Sequence, residues 1–130
     1  MILWDTDTCI ELLRGNKTII NRRNAENDEI AISFMTVAEL HYGSEKSNNK
    51  KMNNRYVEEF ILTVKIINSD IAIMKKFGEI KALLENRGIP LADADLFVAA
   101  TSLVYCTKLI TGNIKHYNRI ESLTIEDWIR

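Results

Sequence analysis

The stretch Asp93-Ala94-Asp95-Leu96-Phe97-Val98-Ala99-Ala100-Thr101 decides how the rest of the chain is read. From Leu96 to Val104 nearly every side chain is apolar or small, the mark of a helix buried on most of its surface. Two carboxylates stand at its mouth, and acids are rarely buried unless paired or bound to a metal. Each also has a plain explanation, since an N-cap or first-turn acid complements the helix dipole. Residues two apart lie about 200° apart around a helix, so both cannot face one ion. Asp95, which directly precedes the buried run, is the candidate ligand. Asp93 is left as a cap or an outer acid.

Working outward, Ile2 to Asp5 is a short apolar run ending in an acid and reads as a buried strand. Asp7 or Thr8 caps a helix to about Arg14, closed by Gly15. A short helix over Lys17 to Asn27, a strand over Glu29 to Phe34 and a helix from Thr36 to about Lys46 follow. The polar Ser47 to Lys50 stretch is a loop. Asn53 to Lys65 has helical spacing, Lys65 to Asn68 is a strand, and Ser69 or Asp70 caps a helix to Arg87, ended by Gly88. Pro90 cannot sit inside a helix and marks the turn before the acidic helix, which runs to Tyr105. Lys108 to Thr111 is a strand, Gly112-Asn113 a turn, Ile114 to Arg119 a short helical piece and Leu123 to Trp128 the last strand. This alternation predicts an α/β domain over residues 1–130 with a mostly parallel sheet.

With 46% hydrophobic and 27% charged residues, a chain of 130 can build a real core without a disulfide or structural metal. The formal charge of −1 argues against binding nucleic acid through bulk charge, but leaves room for a local basic rim. Cys9 and Cys106 form no CxxC or zinc pattern and lie in apolar contexts, so they read as reduced core residues of a cytoplasmic protein. No signal peptide is expected from Met1 to Asp5. No apolar run approaches the roughly 20 residues of a membrane span.

Ligands in parallel sheets bind beyond the carboxyl ends of the strands. Asp5 ends the first strand, Glu39 lies just past the second, Asp95 opens the helix leading to the Lys108 strand, and Asn113 follows that strand. Three carboxylates in one place repel unless a cation neutralises them. An all-oxygen set without His or Cys selects Mg²⁺ or Mn²⁺, which implies metal-assisted phosphoryl chemistry. Bland readings stand beside these. Asp5 suits a turn, Asp7 a helix cap, and Thr36-x-x-Glu39 has the form of a capping box. His41 is read as a surface residue, while His116 lies near Asn113 and is a phosphate contact candidate. Asp5-x-Asp7-x-Thr also has the form of a haloacid-dehalogenase-type phosphatase motif, with Asp5 as nucleophile. That reading needs an acidic pair after Thr111, and the pair at Asp93 and Asp95 comes before it.

Four pieces in order resemble the PIN-domain ribonucleases, specifically VapC-type toxins of bacterial toxin–antitoxin pairs. They are Leu3-Trp4-Asp5-Thr6-Asp7-Thr8-Cys9, Ile32 through Gly43, Ala94 through Thr101, and Leu109-Ile110-Thr111-Gly112-Asn113; the ending Leu123 to Trp128 is similar too. The resemblance implies a three-layer fold with a five-stranded parallel sheet, and Asp5, Glu39 and Asp95 as the metal-binding acids. Thr111 and Asn113 would then hold water or phosphate oxygen, with one ion expected because Asn113 is an amide. Asp7, Thr36 and Asp93 fall to capping or supporting roles. The reaction implied is endonucleolytic hydrolysis of single-stranded RNA, of tRNA or rRNA class, leaving a 3′-hydroxyl and a 5′-phosphate. Arg14, Lys46, Lys50, Lys51 and His116 are the RNA-binding candidates. Such toxins are homodimers silenced by a VapB-like antitoxin, whose helical tail would lie on apolar surface offered by Ile10, Leu13 and the Thr36 and Asn53 helices. A PIN-fold interaction module without catalysis is the bland alternative.

Overall fold

The computed structural model describes all 130 residues. Its order along the chain is β1 (Ile2–Trp4), α1 (Thr6–Leu13), α2 (Lys17–Ala25), β2 (Ile30–Ser33), α3 (Phe34–Glu45) and α4 (Lys50–Ile61). There follow β3 (Lys65–Ile67), α5 (Ile71–Asn86), α6 (Asp93–Tyr105), β4 (Leu109–Ile110), α7 (Ile114–Tyr117) and β5 (Ile125–Glu126). The strands form one sheet in the order β3-β2-β1-β4-β5, and every neighbouring pair is parallel. Short apolar strands covered on both faces are what a parallel sheet requires.

Alternation along the strands sorts the core into two. Leu3, Ala31 and Leu109 face one way and pack with Ile73, Leu84, Leu96 and Ala99 of α5 and α6. Ile2, Trp4, Ile32 and Ile110 face the other way and pack with Cys9, Leu40 and Phe60 of α1, α3 and α4, and with Trp128. Helices thus cover both faces, and α6 is buried along most of its length, as its composition demands. The central strand β1 lies between β2 and β4, so the chain leaves its carboxyl end in one direction and returns from the other. That reversal opens a crevice at the sheet edge.

Several helix starts differ from the sequence reading. Asp5, not Asp7 or Thr8, is the N-cap of α1, with its side chain accepting from the Thr6 N–H. Helix α3 begins at Phe34, two residues early, because Ser33 accepts the Thr36 N–H at 3.1 Å. The Thr36–Glu39 capping box therefore does not form. Asn49 caps α4, so Lys50, read as the end of a loop, opens the helix and Lys51 follows it in the first turn. Helix α6 has no side-chain cap. Asp93 instead forms an exposed ion pair with Lys81 at 2.9 Å. Gly15 (φ 83°) and Gly88 (φ 71°) take the left-handed turns that end α1 and α5. Cys9 is buried, Cys106 half-buried, and both are free thiols. No helix is long and apolar enough to cross a membrane.

Candidate functional site

A cleft of about 620 Å³ lies beyond the carboxyl ends of β1 and β4, and Asp5, Glu39, Asp95 and Asn113 all line it. Asp5 arrives there because β1 ends as α1 begins, and the capping conformation turns its carboxylate inward. It is only 7% exposed. Oδ1 accepts from the Thr6 N–H and Oδ2 from the Thr111 hydroxyl, both at 2.8 Å. Burial first, then the charges of Asp7 and Asp95, push its pKa up to about 7 against the pull of those two hydrogen bonds.

Glu39 sits on the second turn of α3, with Oε1 accepting from the Thr6 hydroxyl at 2.7 Å. The Thr36 hydroxyl stands 3.0 Å behind that of Thr6. Asp95 lies in the first turn of α6. Its Oδ1 accepts from the Tyr117 hydroxyl at 3.4 Å, and Oδ2 is 3.6 Å from His116 Nδ1. The Asn113 side-chain amide lies 2.8 Å from His116 Nδ1.

The sequence-level site residues divide into three groups. Asp5, Glu39, Asp95 and Asn113 come together as expected, with His116 beside them. Thr111 does not face the cleft. It is fully buried, donates to Asp5 and accepts the Asn113 N–H at 3.0 Å, so it supports rather than contacts. Asp7 is not a cap; its Oδ2 accepts the Gly112 N–H at 2.9 Å and ties α1 to the loop after β4. Thr36 likewise lies buried behind Thr6, and Asp93 points away, its side chain 61% exposed. Of the basic candidates only Arg14 reaches the cleft wall. Lys46 lies over the Tyr42 ring, and Lys50 and Lys51 are exposed at the start of α4.

Three residues were missed. Thr6 was hidden as an ordinary first-turn residue. Tyr117 gave a usable signal, an aromatic one helical turn beyond Asn113. Arg130 reaches the cleft because the tail packs on Gly112, where a Cβ would meet Ile129 Cδ1 at 2.9 Å and Asp7 Oδ2 at 3.0 Å.

No cation of the chain fills the space among the acids. Arg14 pairs with Glu11 at 3.6 Å, and Arg130 holds Asp127 and the Gly112 carbonyl. No three acids or imidazoles are gathered tightly enough to enclose an ion by themselves. A small hard cation fits that looser set, because Mg²⁺ keeps several waters and takes one or two carboxylates directly. The donors here are oxygens, and the buried Asp5 carboxylate has no positive partner of its own.

Beside the cleft runs a second hollow of about 340 Å³ between α1, α3 and α4, lined by Ile10, Leu13, Leu40, Tyr56 and Val57. Ile10, Arg14 and Glu39 border both.

Residues 2–121 match the PIN domain family. Ribonuclease VapC2 of Rickettsia felis is 35% identical over 104 residues, covering 80% of this chain and 78% of the relative. The chain belongs to the VapC-type ribonuclease toxins of the PIN-domain family. The tRNA(fMet)-specific endonuclease VapC of Salmonella typhimurium is 32% identical, covering 97% of this chain and 96% of its own. Two solved structures superpose closely at 31% identity. The Rickettsia felis VapBC2 complex bound to promoter DNA gives a TM-score of 0.92 and covers 98% and 99% of the two chains. The DNA-bound Salmonella typhimurium VapBC complex gives 0.93 and covers 98% and 97%. The chain is therefore an endoribonuclease, the toxin of a toxin–antitoxin system, and the phosphatase and non-catalytic readings fall. PIN-domain nucleases are typically metal-dependent, and both of these solved relatives are VapBC toxin–antitoxin complexes.

Proposed function

We propose that this toxin hydrolyses RNA phosphodiester bonds in the Asp5–Glu39–Asp95 cleft with one Mg²⁺ or Mn²⁺ ion, arresting translation and growth. The observation that carries this reading is Asp5, a buried carboxylate at the end of the central strand with no cation of its own chain beside it. Asp5 and Asp95 would hold the ion. When bound, such an ion supplies a Lewis acid that lowers the pKa of a water and offsets charge on the phosphate. Thr6 and Thr111 fix the Asp5 carboxylate. Glu39 commits one oxygen to Thr6 and keeps the other to orient the attacking water. In-line attack leaves a 3′-hydroxyl and a 5′-phosphate.

Asn113, His116, Arg14 and Arg130 receive the RNA backbone at the cleft, where net positive side chains offset the acids. The outer lysines Lys46, Lys50 and Lys51 add to the approach path. The substrate is a single-stranded segment of a structured RNA, and the tRNA(fMet)-specific relative favours the tRNA class over rRNA. The test is cleavage of total cellular RNA with added Mg²⁺ or Mn²⁺. Asp95→Asn should lose cleavage and keep its circular dichroism; a purified Asp95→Asn that still cuts overturns the assignment.

By the same family likeness the toxin is a homodimer and is silenced by a VapB-like antitoxin. We place the antitoxin's apolar helical segment in the α1–α3–α4 hollow, because it opens directly onto the acids and suits a helix-in-groove contact. A basic side chain at the end of that segment would reach the carboxylates. Tyr56, half exposed at 49%, is the anchor point. Tyr56→Glu should weaken antitoxin binding about 30-fold or more, as loss of an aromatic hot spot does, with RNA cleavage retained. Unchanged affinity in a titration of the antitoxin would move the contact elsewhere.

A further inference from the structure

Each of the three acids read as the site accepts from one hydroxyl: Asp5 from Thr111, Glu39 from Thr6, and Asp95 from Tyr117. The first two donors are short threonines next to well-formed backbone caps. Tyr117 differs, because it is fully buried in the core cluster that holds Leu3, Leu96 and Ala99, with its hydroxyl 3.4 Å from Asp95 Oδ1. Asp95 has little else to fix it. Helix α6 lacks a side-chain cap, and Tyr117 makes the one side-chain hydrogen bond that Asp95 accepts within 3.5 Å. His116 Nδ1 stands 3.6 Å from Asp95 Oδ2, beyond hydrogen-bond distance, and 2.8 Å from the Asn113 amide nitrogen.

We propose that Tyr117 is a positioning residue for the metal site: its hydroxyl holds Oδ1 of Asp95 and thereby leaves Oδ2 for the ion in the cleft. The inference rests on the reading of Asp95 as a ligand. A core-packed phenol is a rigid arm, so the carboxylate it holds keeps one orientation without the ion. A phenol is protonated at neutral pH, so the hydroxyl is available as a donor. Partners that orient a metal ligand from behind are commonly worth a further order of magnitude in metal affinity. A phenylalanine at this position would fill the same volume and leave Asp95 free to rotate.

The experiment is direct titration of Mn²⁺ into the purified chain, with no RNA present, read by the electron paramagnetic resonance of free Mn²⁺. Tyr117→Phe should bind about 10-fold more weakly than wild type, with an unchanged far-ultraviolet spectrum. Unchanged affinity in Tyr117→Phe, alongside loss of binding in Asp95→Asn, overturns the role of Tyr117 and leaves the cleft reading intact. Wild-type affinity in Asp95→Asn overturns the cleft reading, and this inference with it. A second readout avoids mutation of the buried ring. In fluorotyrosine-labelled wild type, Mg²⁺ should shift the ¹⁹F resonance of Tyr117 and leave Tyr42, Tyr56 and Tyr105 in place; a Tyr117 signal unmoved at saturating Mg²⁺ counts against the proposal.

Discussion

Asp5→Asn is expected to abolish RNA cleavage and, in the same protein, to raise the stability of the metal-free fold above neutral pH. The activity loss should be on the order of 10³-fold or more, because a Lewis-acid contact contributes several kcal/mol to the barrier and each 1.36 kcal/mol is tenfold. The fold should survive the change. Asparagine caps helices as well as aspartate does, so α1 keeps its start, and the amide oxygen can still accept the Thr6 N–H. What disappears is a carboxylate buried without a cation.

In the folded, metal-free chain the Asp5 carboxyl titrates at about 7, against an ordinary value of 3.8. Between those values the folded protein keeps a proton that the unfolded chain has released. Stability from this group is therefore fully present below the unfolded value and is lost as pH rises through the folded one. Above about pH 7 the ionised, buried carboxylate costs the wild type about 4 kcal/mol at most, a cost the neutral amide does not carry. The Asp5→Asn advantage should thus be small near pH 4 and largest near pH 8. Added Mg²⁺ should narrow it, since an ion that binds only the folded wild type stabilises it by mass action. Denaturant melts at the two pH values, with and without Mg²⁺, measure all of this. Equal stability of the two proteins at high pH would mean that Asp5 is not charged and buried as described, and retained cleavage would remove it from the chemistry.

The sequence carried the site further than it carried the helix starts, and the reason is physical. Leu96 to Val104 cannot be anything but a buried helix, and strands as apolar as Ile2–Trp4 and Ile30–Ser33 must lie inside a covered sheet. Those two facts place Asp5 and Asp95 at one edge before any coordinate is known. The start of α3 is different. Ser33 and Thr36 are both competent caps, and the choice depends on where β2 stops pairing with β3, which no local propensity records. With a start at Thr36, Glu39 has the form of a capping-box partner beside its reading as a ligand; the observed start frees it for Thr6. Asn49 and Lys50 read as loop because their polarity marks exposure, and an exposed first turn of a helix is equally polar. Thr111 and Tyr117 act through contacts with Asp5 and Asp95 from distant segments. Only the fold reveals which acid each hydroxyl meets.

Trp128→Ala is expected to destabilise the fold by about 3–5 kcal/mol, the cost of truncating a buried Trp to Ala. Trp128 is 2% exposed and meets Trp4 edge to face, with ring centroids 5.8 Å apart. Its Nε1 donates to Glu126 at 2.9 Å, and Arg22 lies over the ring while pairing with the same Glu126. Lys108 at 2.6 Å completes the cluster, and these partners hold the Glu126 carboxyl below its usual range. Removing the indole opens a cavity against Trp4 and takes one donor from Glu126, which is half of the two-residue strand β5. The damage reaches the site through the backbone, because the Thr111 N–H donates to the Glu126 carbonyl at 3.0 Å and the Thr111 hydroxyl holds Asp5. A domain with roughly 5–15 kcal/mol in total should survive with a melting temperature lowered by about 15 °C. Trp128→Phe should recover part of that through the aromatic pair, but not the hydrogen bond to Glu126. Cleavage measured well below the melting point should fall far less than in Asp5→Asn, since the acids themselves remain. A Trp128→Ala protein that melts with the wild type would mean that β5 is held to β4 by its two backbone pairings alone, and that Thr111 needs no such support.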